Sequence, residues 1–153
     1  MKTPINSILT EFYDGLTSYD CIYNSPKTTI YDTLGSFTIL TKEKAKYEYY
    51  KYGLKHNYVH IPKIMDIIED HNNSIYIIKR EKLFPIIDTN KLTRLQIVQQ
   101  CLKDNSRIND KLVKEALDFY INNHGAKFDF GPHCFMQTKN KKIVVSDLFM
   151  GLK

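Results

Sequence analysis

The sequence predicts an α+β fold, a small antiparallel sheet with one packed helix followed by a mainly helical half. Three observations carry that prediction. Between residues 28 and 79, short β-branched and aromatic runs alternate with polar turns. Residues 89–103 and 109–123 place apolar side chains at helical spacing. Close to the C-terminus, the apolar runs Cys134-Phe135-Met136 and Ile143-Val144-Val145 flank Asn140 and its lysine neighbours, the pattern of a hairpin.

Taken in order, residues 5–20 come first. Ile5, Ile8, Leu9, Phe12, Tyr13 and Leu16 recur at i, i+3, i+4, i+7 and i+8, which predicts a helix. Asp14-Gly15 and Asn24-Ser25-Pro26 punctuate its end. Strands are expected at Thr28–Tyr31 and Ser36–Thr41, with Asp32-Thr33-Leu34-Gly35 as the turn between them. A helix is expected from Lys42 to His56, with Ala45, Glu48, Tyr49 and Tyr52 on one side and Gly53 weakening its end. His60-Ile61-Pro62-Lys63-Ile64 leads into a strand through Ile68, and Asp70-His71-Asn72-Asn73 turns it into a strand over Ser74–Lys79. The helix over 89–103 presents Leu92, Leu95, Val98 and Leu102, with Thr89 as N-cap. The helix over 109–123 presents Val113, Ala116, Leu117, Tyr120 and Ile121, with Asn109 as cap and Gly125 beyond its end.

At 153 residues the chain reads as one domain, and 42% hydrophobic with 25% charged residues is a globular composition. The net charge of +5 suits an acidic ligand but is too mild to argue for nucleic acid. The tyrosines interleaved with lysines over 44–58 would suit base stacking, but their helical spacing reads as packing. Cys21, Cys101 and Cys134 have neither disulfide nor zinc-site spacing, and no apolar run approaches a membrane span. A cytoplasmic protein without a membrane partner is the default expectation. His60 and His71, both in turns, read as surface residues. Abundant Lys, Ile, Asn and Tyr without Trp resembles translation of an AT-rich genome.

The chemistry concentrates in residues 128–147. Asp129 lies on a loop before the hairpin and Asp147 at its far end. An antiparallel pair brings its outer ends together, so the two carboxylates are expected to be neighbours. Paired carboxylates repel unless a cation or a substrate proton lies between them. Phosphoryl transfer uses such a pair, one acid orienting the attacking hydroxyl and one holding magnesium.

This stretch resembles the catalytic loop and metal-binding strand of the protein-kinase-like superfamily, most of all its short bacteriophage-encoded members. The resemblance extends more weakly over 36–84, with its Pro62-Lys63-Ile64 strand and terminal Glu81-x-Leu83. It implies a minimal kinase-like fold, approximately 1–84 as an N-lobe and 85–153 as a truncated C-lobe with a reduced helical portion. It implies ATP and Mg2+ as cofactors, Asp129 as the catalytic acid and Asp147 as the metal ligand. Lys42 paired with Glu48 would contact phosphate, although the family register points at Leu40. Cys134 occupies the position of the family's second metal ligand, an asparagine, thirteen residues (147 − 134) before Asp147. A thiol is a poor ligand for hard magnesium, and the adjacent His133 does not replace an amide oxygen. A nucleophilic role for Cys134 gives way to that of a buried small hydrophobe. Only Gly35 remains of a glycine-rich loop, and the sequence stops at Leu152-Lys153, which leads one to expect no kinase-type peptide recognition. The functions implied are a phage phosphotransferase acting on host proteins with impaired activity, or an inactive pseudokinase-like protein that binds a host partner. A small phosphate-accepting molecule, as for aminoglycoside kinases, is a third.

Overall fold

A computed structural model describes residues 5–106, 109–131 and 133–152, with side chains from Glu11 onward. The expectations resting on the side chains of Ile5, Ile8 and Leu9, on Pro132 and on Lys153 lie outside the described residues. In chain order the elements are α1 (Ile5–Leu16), β1 (Asp20–Asn24), β2 (Thr28–Asp32), β3 (Phe37–Thr41), α2 (Lys44–Lys55), β4 (Ile64–Asp70), β5 (Ile75–Arg80), α3 (Thr89–Lys103), α4 (Lys111–Asn122), β6 (Lys127–Phe128), β7 (Phe135–Gln137), β8 (Ile143–Val145) and β9 (Phe149–Met150). The fold is α+β. Two compact units divide the chain, Met1–Glu43 with Ile64–Lys82 and Lys44–Lys63 with Leu83–Lys153. The helix α2 therefore groups with the C-terminal half.

The first unit is a five-stranded sheet in the order β1-β2-β3-β5-β4, with every neighbouring pair antiparallel. Its centre is built from β-branched residues. Ile39 of β3 stands in register between Ile30 and Ile78, and both Ile39 and Ile78 are fully buried. Thr28 and Thr41, opposite each other and buried, satisfy one another through their hydroxyls at 2.8 Å. The turn before β3 forms where expected, with the Asp32 carboxylate accepting the Leu34 amide and Thr33 N–H donating to the Ser36 carbonyl at 2.9 Å. Buried Asp70 ends β4. Burial would raise its carboxyl, but bonds from the Tyr13 hydroxyl and from Asn73 hold it below the usual aspartate range.

In the second unit α2 buries Tyr47, Tyr49 and Tyr50. Tyr49 packs edge-on to Phe119 of α4 and stacks on Phe149 of β9, at ring separations of 5.0 and 4.9 Å. Gly53 lies within α2, where a Cβ would stand 3.1 to 3.3 Å from Tyr58 and Ile61, so glycine admits their close approach. The α3 stripe is Leu95, Val98 and Leu102, whereas Leu92 is 42% exposed. Asp88 and Asp110, rather than Thr89 and Asn109, cap α3 and α4, since each carboxylate accepts amides of the first turn from an extended backbone. The hairpin is β7–β8, and a second ribbon, β6–β9, lies beyond its open end.

Candidate functional site

The second unit fixes the backbone around Asp147 from four directions. The amides of Ser146 and Asp147 both donate to the Cys134 carbonyl, at 2.8 and 3.3 Å. The buried Tyr50 hydroxyl on α2 donates to the Ser146 carbonyl at 2.9 Å. Val145 N–H donates to the His60 carbonyl at 2.8 Å. Asp129 N–H donates to the Leu148 carbonyl at 2.7 Å. The two aspartates thus meet as backbone neighbours, held by the β6–β9 ribbon rather than by the hairpin alone. Asp129 is exposed and Asp147 half-buried.

Behind this frame stands a carboxylate that the sequence does not announce. Glu115 of α4 is 6% exposed. It accepts the amides of Val59 and His60 and the His60 imidazole N–H, the last two at 2.9 and 3.1 Å. Burial would raise its carboxyl, but the bonds from His60 and Val59 outweigh that and hold it below the usual glutamate range. His60 is therefore not the surface residue its turn suggests. Its ring and amide belong to Glu115 and its carbonyl to β8.

Cys134 is 2% exposed. Its thiol accepts the Gln99 side-chain N–H at 3.5 Å. Burial pushes the thiol up to about 11, the Gln99 bond opposes this, and the Asp147 charge raises it slightly further. At neutral pH it is a protonated thiol, which excludes a thiolate nucleophile. Gln99 and Cys134, together with Gln96, Gly131 and the exposed His133, line a cavity of about 310 Å3 whose remaining walls are apolar.

No protein-family model and no curated protein matches this sequence. The functional reading therefore rests on the residues themselves.

The remaining expected residues lie elsewhere. Lys42 is exposed, one residue past the end of β3, and its amide donates to the Lys27 carbonyl at 2.8 Å. It shares a shallow pocket of about 130 Å3 with Lys27, Ser25, Thr28 and Thr41. Leu40, the position the family register indicates, lies in β3 between Thr29 and Ile77. Glu48 is half-buried on α2. Lys42 belongs to the first unit and Glu48 to the second. Among the described residues no three His, Cys, Asp or Glu side chains gather as a metal site, and no helix is long and apolar enough to cross a membrane. Asp147 offers a carboxylate of the kind magnesium takes, whereas the Cys134 thiol at the neighbouring family position offers no oxygen. Sequence reasoning missed Gln99, Glu115 and Tyr50, because each acts through a partner remote in the chain.

Proposed function

We propose that this chain is a minimal protein-kinase-like phosphotransferase of impaired activity, a phage-type protein that works in a host cytoplasm on a host protein. The observation that supports the reading is the backbone frame around Asp147, with Asp129 as its neighbour. A segment whose backbone is bonded at residues 145 to 148 is preorganised, which is what electrostatic stabilisation of a transferring phosphoryl group requires. In this reading Asp147 holds Mg2+ and through it ATP, and Asp129 accepts the proton of the acceptor hydroxyl. Bound magnesium would neutralise charge on the phosphates. The exposure of Asp129 suits contact with an incoming substrate. Lys42, outside β3, is a weak candidate for the phosphate lysine, and Cys134 supplies no oxygen.

Those two departures favour a second reading, a pseudokinase-like binding protein that keeps nucleotide affinity and engages a host partner without transfer. Labelled ATP with Mg2+ separates the two, because only the first moves phosphate to an acceptor. In either reading Asp147→Ala abolishes Mg-nucleotide binding in calorimetry, while Asp129→Ala keeps binding and loses any turnover. A wild-type protein with no affinity for Mg-ATP at millimolar concentration would sink both.

A further inference from the structure

The cavity beside α3 has no part in the kinase-like reading, since neither Asp129 nor Asp147 lines it. It holds about 310 Å3, and all of its lining belongs to the second unit. Leu92, Leu95, Gln96 and Gln99 face it from one side of α3, at i, i+3, i+4 and i+7. Ile86, Leu95 and Phe135, all buried, give it apolar walls, and exposed Leu92 and Gln96 leave it open to solvent. No carboxylate, ammonium or guanidinium group lines it among the described residues, and its thiol, Cys134, is protonated at neutral pH. A charged guest would give up hydration there and find no ion partner.

The carboxamides set the polar chemistry. Half-buried Gln99 donates one side-chain N–H to the Cys134 sulfur at 3.5 Å. Its other N–H and its carbonyl oxygen bond to no described residue, and neither does the Gln96 side chain one turn earlier. A carboxamide presents a donor and an acceptor side by side, which complements the N–H and C=O edge of a cyclic amide. An apolar cavity of about 150 Å3 accepts benzene, so this one accepts about two rings. We infer that the cavity is a binding site for an uncharged two-ring molecule with an amide-type edge, its apolar body against α3 and Phe135 and its edge on the Gln99 carboxamide. The inference stands apart from the kinase-like reading, which concerns magnesium and nucleotide at Asp147.

The probe is carbostyril, the neutral lactam of quinoline, compared with quinoline itself and with the charged two-ring naphthoate, without nucleotide or metal. Methionine-methyl nuclear magnetic resonance locates binding, because Met136 lines the cavity whereas Met65 and Met150 do not. Carbostyril should shift the Met136 methyl saturably with a Kd below about 1 mM and leave the other two in place. It should bind about ten-fold more tightly than quinoline, the ratio for one good hydrogen bond. Gln99→Leu keeps an apolar side chain of similar reach and should bring carbostyril down to the affinity of quinoline. Quinoline binding retained by that variant shows that its cavity is intact. An unmoved Met136 at the solubility limit of carbostyril, naphthoate binding as tightly as the lactam, or an undiminished lactam preference in Gln99→Leu each overturns the inference. So does a Met136 shift that follows protein concentration, which would give the cavity to a second copy of the chain.

Discussion

Glu115→Ala should destabilise the second unit far more than an average core substitution of its size. The carboxylate closes the 59–60 loop by accepting two backbone amides and the His60 ring N–H. Hydrogen bonds to a charged group contribute about 1.5–3 kcal/mol each, and a buried donor left alone costs about 1–3 kcal/mol. Val59 is 39% exposed, so water can recover its amide, whereas the amide of the half-buried His60 is harder to resolvate. The net expectation is a loss of about 2–4 kcal/mol, below the full sum because one donor is recovered. Glu115→Gln keeps the shape but offers one acceptor to two amides, and should lose about 1–2 kcal/mol. Urea unfolding followed by tyrosine near-ultraviolet dichroism reads this, as a midpoint shift of about 1–2 M for Glu115→Ala at a typical slope. The pH dependence has a definite sign. The folded carboxyl lies below its ordinary value near 4.5, so its contribution is complete above that pH and is lost as pH falls through the folded value. At pH 7 Glu115→Gln should be less stable than the wild type, and the two should converge in acid. A Glu115→Ala loss under about 0.5 kcal/mol, the level of a neutral surface change, would refute the argument.

Three further outcomes concern Tyr50, Gly151 and the cysteines. Tyr50→Phe removes only the hydroxyl that holds the Ser146 carbonyl, and should cost about 1–2 kcal/mol in urea unfolding while weakening Mg-nucleotide binding in calorimetry. Gly151→Ala should cost about 1–3 kcal/mol by thermal unfolding, because Gly151 has φ +97° and a Cβ there would lie 2.7 Å from the Gly125 carbonyl oxygen. In native protein at pH 8, iodoacetamide should modify exposed Cys21 and spare Cys134. With its thiol near 11, Cys134 is ionised to only about one part in a thousand, so peptide mass spectrometry should find it labelled only after denaturation.

Much of the fold was legible because its elements are locally specified. The bounds of α3 coincide with residues 89–103, and the paired runs 134–136 and 143–145 form a hairpin displaced by one residue in its first strand. What escaped lacked a local signal. β1 is exposed along its whole length, so no buried face imposes alternation, and its bulge at Ile22 breaks the period. β6 and β9 are two residues each and exist only through one another. The segment before β4 carried no signal for its role either, because residues 59–60 give their amides to Glu115 on another element and β4 begins at Ile64. At the site, hairpin logic pointed to an approach of Asp129 and Asp147, but the backbone bond that brings Asp129 to Leu148 adjoins the β6–β9 ribbon. The roles of Gln99, Glu115 and Tyr50 could not be read, since their partners lie 35, 55 and 96 residues away.

Each unit is discontinuous in sequence, with a piece of the other lying between its two stretches. No single cut therefore yields either unit intact. A fragment starting at Leu83 would retain Asp129, Cys134 and Asp147 but lose Tyr50 and His60, the groups that hold Ser146 and Val145. The same residues would then sit on an unbraced ribbon, and a negative binding result from that fragment would say nothing about the chain. Excising Ile64–Lys82 and joining Lys63 to Leu83 through a linker keeps every donor of the frame. Dissection of this protein calls for loop replacement, and terminal truncation is the one operation its connectivity forbids.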